Sequence, residues 1–289
     1  MGFDVLENSR FLGRPVRLFR FELQGLVWRF AQSDRDVEAG GVAWTAAQIS
    51  RDDIRQTSER AKDQLKIRFD YLRDPSAPVG ARPATQPLGD VWHPYIPSSA
   101  VRVMCLTTHI GDTDPPVLEW SGEVRQPRFT DVELELTCVP GNSRGEARNQ
   151  GMKFQRPCSK TVYSTGVRGC NLNPAAFTIA AVLTGASGLT LTAAEFATAP
   201  HSLLQGWLSW TRPNGIVERR TIVQHSGNQV RLLYGGQGLA SGLAVTVLPN
   251  CPGTFAACAA RRADPELHYG GAIYEPIENP HEGGSMSWG

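Results

Sequence analysis

Short runs in which every second residue is apolar, each closed by a turn former, recur from end to end of this 289-residue chain. A period of two puts alternate side chains on opposite faces of an extended strand, so the chain is expected to fold mainly as β-sheet. The first run sets Leu18/Arg20 against Phe19/Phe21/Leu23, and Gln24-Gly25 then turns the chain into Val27, Trp28 and Phe30, which reads as a hairpin. Val42 to Trp44 and Leu65 to Phe69 follow, separated by the polar stretch Arg51 to Lys62, which fits either a short helix or a long edge strand. Ala100 to Thr107, Val117 to Val124 and Val132 to Cys138 complete a first β-rich domain over residues 1–145, expected as a β-barrel or sandwich.

Within that domain, Asp74 to Pro97 carries Pro75, Pro78, Pro83, Pro87, Pro94 and Pro97. Proline lacks the N–H that a ladder needs, so this segment reads as an exposed extended loop. The polar, glycine-bearing run from Gly141 to Gly151 marks a boundary, and residues 146–289 form a second β-rich domain. Its strands are Phe177 to Thr184, Leu204 to Trp210, Ile216 to Val223, Val230 to Tyr234 and Leu243 to Leu248, with Asn214-Gly215 as a hairpin turn. Thr254 to Arg262 reads as a short helix, stopped before Pro265.

Charge is nearly balanced, 29 Lys and Arg against 28 Asp and Glu, which removes any general drive toward nucleic acid or an anionic membrane. The opening MGFDVLENSR has acidic residues where an export signal has a basic head, and the longest apolar run, Ala175 to Leu183, falls short of the roughly 18 residues that span a bilayer. A soluble protein made in a reducing cytosol is the expectation, in which thiols stay free. Cys105 and Cys138 then read as buried residues rather than a bridge, both on strands that lie side by side.

The other four of the six cysteines, Cys158, Cys170, Cys251 and Cys258, lie in the C-terminal half beside small or turn-forming residues. Four thiolates saturate one tetrahedral zinc or the corners of a [4Fe–4S] cluster, and ligand type alone does not separate the two. The pairs are twelve and seven residues apart, wider than the tight pairs of zinc ribbons, which have about two to four intervening residues. Four buried, unliganded thiols remain the plain alternative, since cysteine packs well as a small hydrophobe.

Taken together, Phe21 to Phe30, Gly41 to Trp44, Ile49, Ile54, Arg60 to Phe69, Arg156-Pro157-Cys158, Gly169-Cys170, Pro249-Asn250-Cys251, Cys258, Tyr269-Gly270-Gly271 and Pro276 resemble the tail-hub proteins of long-tailed phages, the minor tail protein L family, which includes the hub protein of gene transfer agents. His268 and Tyr269 stand where that family usually has Asn and Phe before the paired glycines, and Arg262 stands at an often aromatic position. The resemblance implies a non-enzymatic structural protein of the virion tail tip, assembled in the host cytoplasm as a homotrimer between the tail tube, the distal tail protein and a central fibre or tip protein. It also implies a [4Fe–4S] cluster on Cys158, Cys170, Cys251 and Cys258. A cross-link closing about a hundred residues, from Cys158 to Cys258, suits a loop-rich domain as a staple. A zinc-stabilised β interaction module is the alternative that uses the same thiols.

Catalytic motifs fail one by one. Gly185-Ala186-Ser187-Gly188-Leu189 lacks the last glycine of a nucleophile elbow, Gly236-Gln237-Gly238 runs on to Ser241, and His281-Glu282 meets Ser285 where a zincin needs histidine. A cysteine peptidase built on Cys105 and His109 is the remaining enzyme reading, with poor spacing for the pair. Trp28, Trp44, Trp120, Trp207 and Trp210 are assigned to the core. Trp92 and Trp288 are assigned to contacts between subunits, with the Pro-rich loop and the C-terminal tail ordering on assembly of a protein otherwise monomeric or weakly associating.

Overall fold

A computed structural model describes residues 2–9, 13–55, 63–74, 76–141 and 155–274. The chain divides into two compact units, Met1–Ala147 and Arg148–Gly289, each built on one β-sheet with a few short helices. The first holds α1 (Phe3–Glu7), β1 (Pro15–Leu23), β2 (Leu26–Ala31), β3 (Val37–Ala39), β4 (Val42–Ala46), β5 (Ile49–Arg51), β6 (Leu65–Asp70), α2 (Gln86–Gly89), β7 (Arg102–His109), β8 (Val117–Phe129) and β9 (Glu133–Pro140). The strand order is β3-β4-β2-β1-β7-β8-β9-β6-β5.

That order conceals a closure. β4 and β5 are one run of chain, interrupted only by Ala47 and Gln48, and that run changes partner as it passes. Ala47 N–H donates to the Ala31 carbonyl of β2, while Asp70 N–H of β6 donates to the Gln48 carbonyl. The sheet therefore curls back on itself, and Phe21 of β1 meets Phe69 of β6 ring to ring at 6.4 Å although three strands separate them in the sheet order. Of the two expected architectures, the structure takes the barrel.

The buried face of β1 shifts between Leu18 and Phe19. Phe19, Phe21 and Leu23 are buried in alternation, whereas Val16 and Leu18 belong to the opposite face and pack with Ala31, Ala39 and Trp44 in a separate cluster under β3 and β4. Trp44 satisfies its buried indole by donating Nε1–H to the Ala39 carbonyl.

The Pro-rich segment departs from its expected exposure. Thr85, Gln86, Leu88, Val91 and Trp92 are buried, and Trp92 is a core residue of this unit within a single protomer, not a free contact for another subunit. Missing ladder bonds are replaced by side chains. Gln86 accepts from Leu72 N–H and donates to the Leu72 carbonyl, each at 3.0 Å, and Tyr71 donates its hydroxyl proton to Asp90. Proline removes a donor without preventing burial, provided another group meets the backbone. Trp44, Trp120 and Trp210 are buried as expected, while Trp28 and Trp207 are half-buried. Cys105 and Cys138 are buried and unbridged, on β7 and β9, which β8 separates, so they do not lie on adjacent strands. Residues 56–62, within the polar stretch left open between helix and strand, lie outside the described residues, as do Pro276, His281, Glu282, Ser285 and Trp288.

The second unit contains β10 (Ile179–Val182), β11 (Gly185–Ser187), β12 (Thr190–Thr192), α3 (Ala194–Ala197), β13 (Trp207–Thr211), β14 (Val217–Ser226), β15 (Gln229–Leu232), β16 (Ala244–Leu248), α4 (Phe255–Ala259) and α5 (Pro265–His268). Its strands follow the order β10-β16-β13-β14-β15-β12-β11. The same device closes this sheet. β10 and β11 are flanking strands of the order yet consecutive in the chain, with Leu183 N–H bonded to the Leu243 carbonyl and Thr184 N–H to the Thr192 carbonyl. Leu183, Leu191, Leu208, Trp210, Ile222 and Val247 are among the residues that fill the interior.

One set of charges sits in that interior. Ile216, Glu218, Arg220 and Ile222 are buried in alternation on the strand that leaves the Asn214-Gly215 turn, while Val217 and Val223 face outward. Glu218 bridges two arginines, Arg212 and Arg220, and all three side chains are at most 1% exposed. Arg220 also donates Nε–H to the Gly235 carbonyl and lies over the Tyr234 ring at 4.5 Å, and Arg212 donates to Gln237. Removing the one carboxylate leaves two buried cations facing each other. Glu218→Gln is expected to destabilise the second unit by about 3–5 kcal/mol in urea unfolding followed by Trp fluorescence, whereas replacing all three residues by apolar ones of similar volume restores most of the loss.

Candidate metal centre

The four C-terminal cysteines come from segments on both sides of the second barrel in sequence. Cys158 and Cys170 precede β10, Cys251 follows β16 by three residues, and Cys258 sits in α4. None is in a disulfide, and each is half-buried. Burial pushes the Cys258 thiol above its ordinary value, Arg262 pulls it back down, and Cys158, Cys170 and Cys251 each push it up further.

Backbone geometry explains how the loops converge. The α4 helix starts on Thr254, whose side chain accepts from Ala257 N–H at 3.2 Å, which fixes Cys258 one turn in. Gly253, at φ +73°, delivers its carbonyl to Cys158 N–H at 2.7 Å, and a Cβ there would sit 3.4 Å from the Cys158 carbonyl oxygen. Gly270 N–H donates to the Cys158 sulfur at 3.2 Å. The Tyr269 hydroxyl bonds the carbonyls of Arg156 and Gly253, and Gly271 approaches Arg156 so closely that any Cβ would strike its carbonyl. Tyr269-Gly270-Gly271 therefore folds over the Cys158 loop, with Ala272 N–H bonded to the Gln155 carbonyl.

Around Cys170 the chain closes a turn on itself. Cys170 N–H donates to Ser164 Oγ, and the Asn171 side chain bonds both backbone groups of Gly166. Tyr163 carries its hydroxyl from this turn to the Pro249 carbonyl at 2.7 Å, two residues from Cys251, and burial raises its pKa.

Among the described residues, no group of three or more His, Cys, Asp or Glu is placed to hold a metal ion. A tetrahedral zinc with Zn–S bonds of about 2.3 Å needs its sulfurs about 3.8 Å apart. An iron–sulfur cubane spreads its four thiolates wider, because each binds a different iron. Soft thiol donors and a backbone N–H aimed at one of the sulfurs suit either thiolate-bound group.

Among the described residues, three other candidate sites have structural roles. Ser187 ends β11 and Gly188, at φ +57°, turns the chain into β12, an ordinary hairpin. Gln237 caps Trp210 and Arg212 through hydrogen bonds. His109 donates from Nε2 to Glu7 and accepts Arg14 N–H at Nδ1, so both ring nitrogens are engaged away from Cys105, whose thiol burial pushes up to about 12. No helix among the described residues is long and apolar enough to cross a membrane.

Comparison with known proteins adds three findings. The chain is 32% identical to an uncharacterized protein of Xylella fastidiosa (strain 9a5c), with all of both chains covered. It belongs to one family with that protein. A family model described as phage conserved hypothetical protein BR0599 matches residues 202–276, from the start of β13's approach to the segment beyond Gly271. In fold, the chain is similar to one from the virion of a native gene transfer agent (GTA) particle, with a TM-score of 0.72, 13% identity, and coverage of 99% of this chain and 98% of that one.

Sequence reading named the four cysteines and the Tyr-Gly-Gly run as candidates and made no assignment for Gly253 or Tyr163. Gly253 had a signal, standing just before a helix cap, where a left-handed residue re-aims the chain. Gly253→Ala is expected to cost about 1–2 kcal/mol from its positive φ and to shift Cys158 as well. Gly227→Ala, at φ +57° with open space around it, is the control: calorimetry shows a similar stability loss, and thiol accessibility at Cys158 changes only in the first variant.

Proposed function

We propose that this chain is a structural virion protein of a phage-like tail tip, a hub that adapts the tail tube to a central fibre, and that Cys158, Cys170, Cys251 and Cys258 hold a structural [4Fe–4S] cluster. The observation that carries the virion reading is the likeness in fold to a gene transfer agent virion chain along nearly the whole of both chains. The phage family match over residues 202–276 supports it independently. In this reading the protein assembles as a homotrimer, its neighbours are the distal tail protein and the central fibre or tip protein, it ends at the virion tail tip after assembly in the host cytoplasm, and it carries out no catalytic step.

The cluster reading rests on the donor set. Four unbridged thiols lie on segments that hydrogen bonds tie together, and Gly270 N–H supplies the kind of bond that stabilises a thiolate ligand. When bound, the cluster supplies covalent cross-links between these segments. Gly253, Tyr269 and Gly270 hold Cys158 in place, and Thr254 sets the helix that presents Cys258. A zinc-stabilised interaction module is the second reading, and it requires the sulfurs to draw closer together than a cubane does.

Anaerobically purified protein is expected to contain about four iron and four sulfide per chain with a broad visible absorption band. Cys158→Ser and Cys258→Ser each lose both. Zinc in place of iron moves the assignment to the zinc module, and metal-free protein that melts as cooperatively as before makes the four thiols packing residues.

A further inference from the structure

Arg262 lies between two of the cysteine-bearing segments. Its Nη1–H donates to the Cys170 carbonyl at 2.8 Å, and its Nε–H donates to Asp264 Oδ1 at 3.1 Å. The side chain is only 14% exposed, and the second oxygen of Asp264 lies 3.4 Å from His268 Nε2 on α5. The guanidinium is thereby held from one side by Asp264 and spends another donor on the backbone of a turn 92 residues away in sequence.

That bond differs from the others around Cys170. Ser164, Gly166 and Asn171 close the turn locally, and Tyr163 ties it to Pro249, beside Cys251. The bond from Arg262 is the one that crosses to the segment carrying Cys258.

We infer that Arg262 is a positioning residue of the four-thiol centre: its guanidinium, braced by Asp264, locks the Cys170 turn to the segment that follows α4. The inference builds on the metal-centre reading and adds to it a residue that touches no metal. Lysine is a poor substitute, because a point charge does not present two donors in a fixed fork to a carbonyl and a carboxylate at once.

The test compares wild type, Arg262→Gln and Arg262→Lys, purified anaerobically, in two measurements. One is the rate of iron release to a strong ferrous chelator. The other is the order in which iodoacetamide alkylates the four cysteines of metal-free protein, read by peptide mass spectrometry. Arg262→Gln is expected to release iron about 10-fold faster or more, the usual range for a lost outer partner of a metal ligand. Cys170 is expected to become the first cysteine alkylated, with Arg262→Lys between the two. Unchanged release together with an unchanged alkylation order overturns the inference. Wild-type protein without iron overturns the cluster reading instead, and the alkylation order then decides the role of Arg262 alone. Where Arg262→Gln fails to fold, Asp264→Asn unbraces the guanidinium while keeping its charge, and an unchanged Cys170 reactivity in that variant refutes the lock.

Discussion

Each unit depends on a single strand that changes partners partway along its length. At Ala47-Gln48 the chain leaves β2 and takes up β6, and at Leu183-Thr184 it leaves β16 and takes up β12. An open sheet leaves two rows of unpaired amides and carbonyls and one face of its core uncovered, and curling the sheet onto itself removes both problems with a few hydrogen bonds. Everything inside follows from that closure. The Phe21–Phe69 contact exists because β1 and β6 are brought together across the barrel, and the Arg212–Glu218–Arg220 set is dry because the sheet surrounds it.

The charged interior shows what closure permits. A strand reading Val-Glu-Arg-Arg-Thr-Ile-Val gives no sign that its charged positions point inward, since valines occupy the other face. Ile216 and Ile222 decide the register: they share a period with Glu218 and Arg220, and turning them outward would expose both isoleucines. The carboxylate between two guanidiniums, with the Tyr234 ring against Arg220, the Gly235 carbonyl accepting from Arg220 and Gln237 accepting from Arg212, makes that register tolerable. Val217 and Val223 are left exposed as a consequence.

Period two was therefore a sound guide to where strands run and a poor guide to which face they bury. The hairpins at Gln24-Gly25 and Asn214-Gly215, the longer strands of both units and the Thr254 helix start were legible because each depends on local chemistry, while the three-residue strands β3 and β5 went unread. β11 and β12 were not legible either, being three residues each and masked by a sequence that imitates a catalytic turn. The Pro-rich segment misled for a different reason: a missing N–H is a local fact, but Gln86 and Trp92 find their places through contacts with Leu72 and the barrel that no window of sequence contains. At the candidate centre, residue type alone singled out the cysteines. What aims them, Gly253, Tyr163 and Arg262, acts through backbone carbonyls and so leaves almost no compositional trace.

The hydrogen bonds from Cys158 to Gly253, from Ala272 to Gln155 and from Tyr269 to Arg156 join the segment that enters the second barrel to the segment that leaves it. Tension applied to the chain at those two points enters and leaves through one short clasp. The barrel, strung between the clasped segments, carries none of that force until the clasp gives way. A fold wired like this behaves as a shackle with a sheltered bead, so the first bonds that a pull loads are the handful near the cysteines, ahead of the ladder bonds of the sheet.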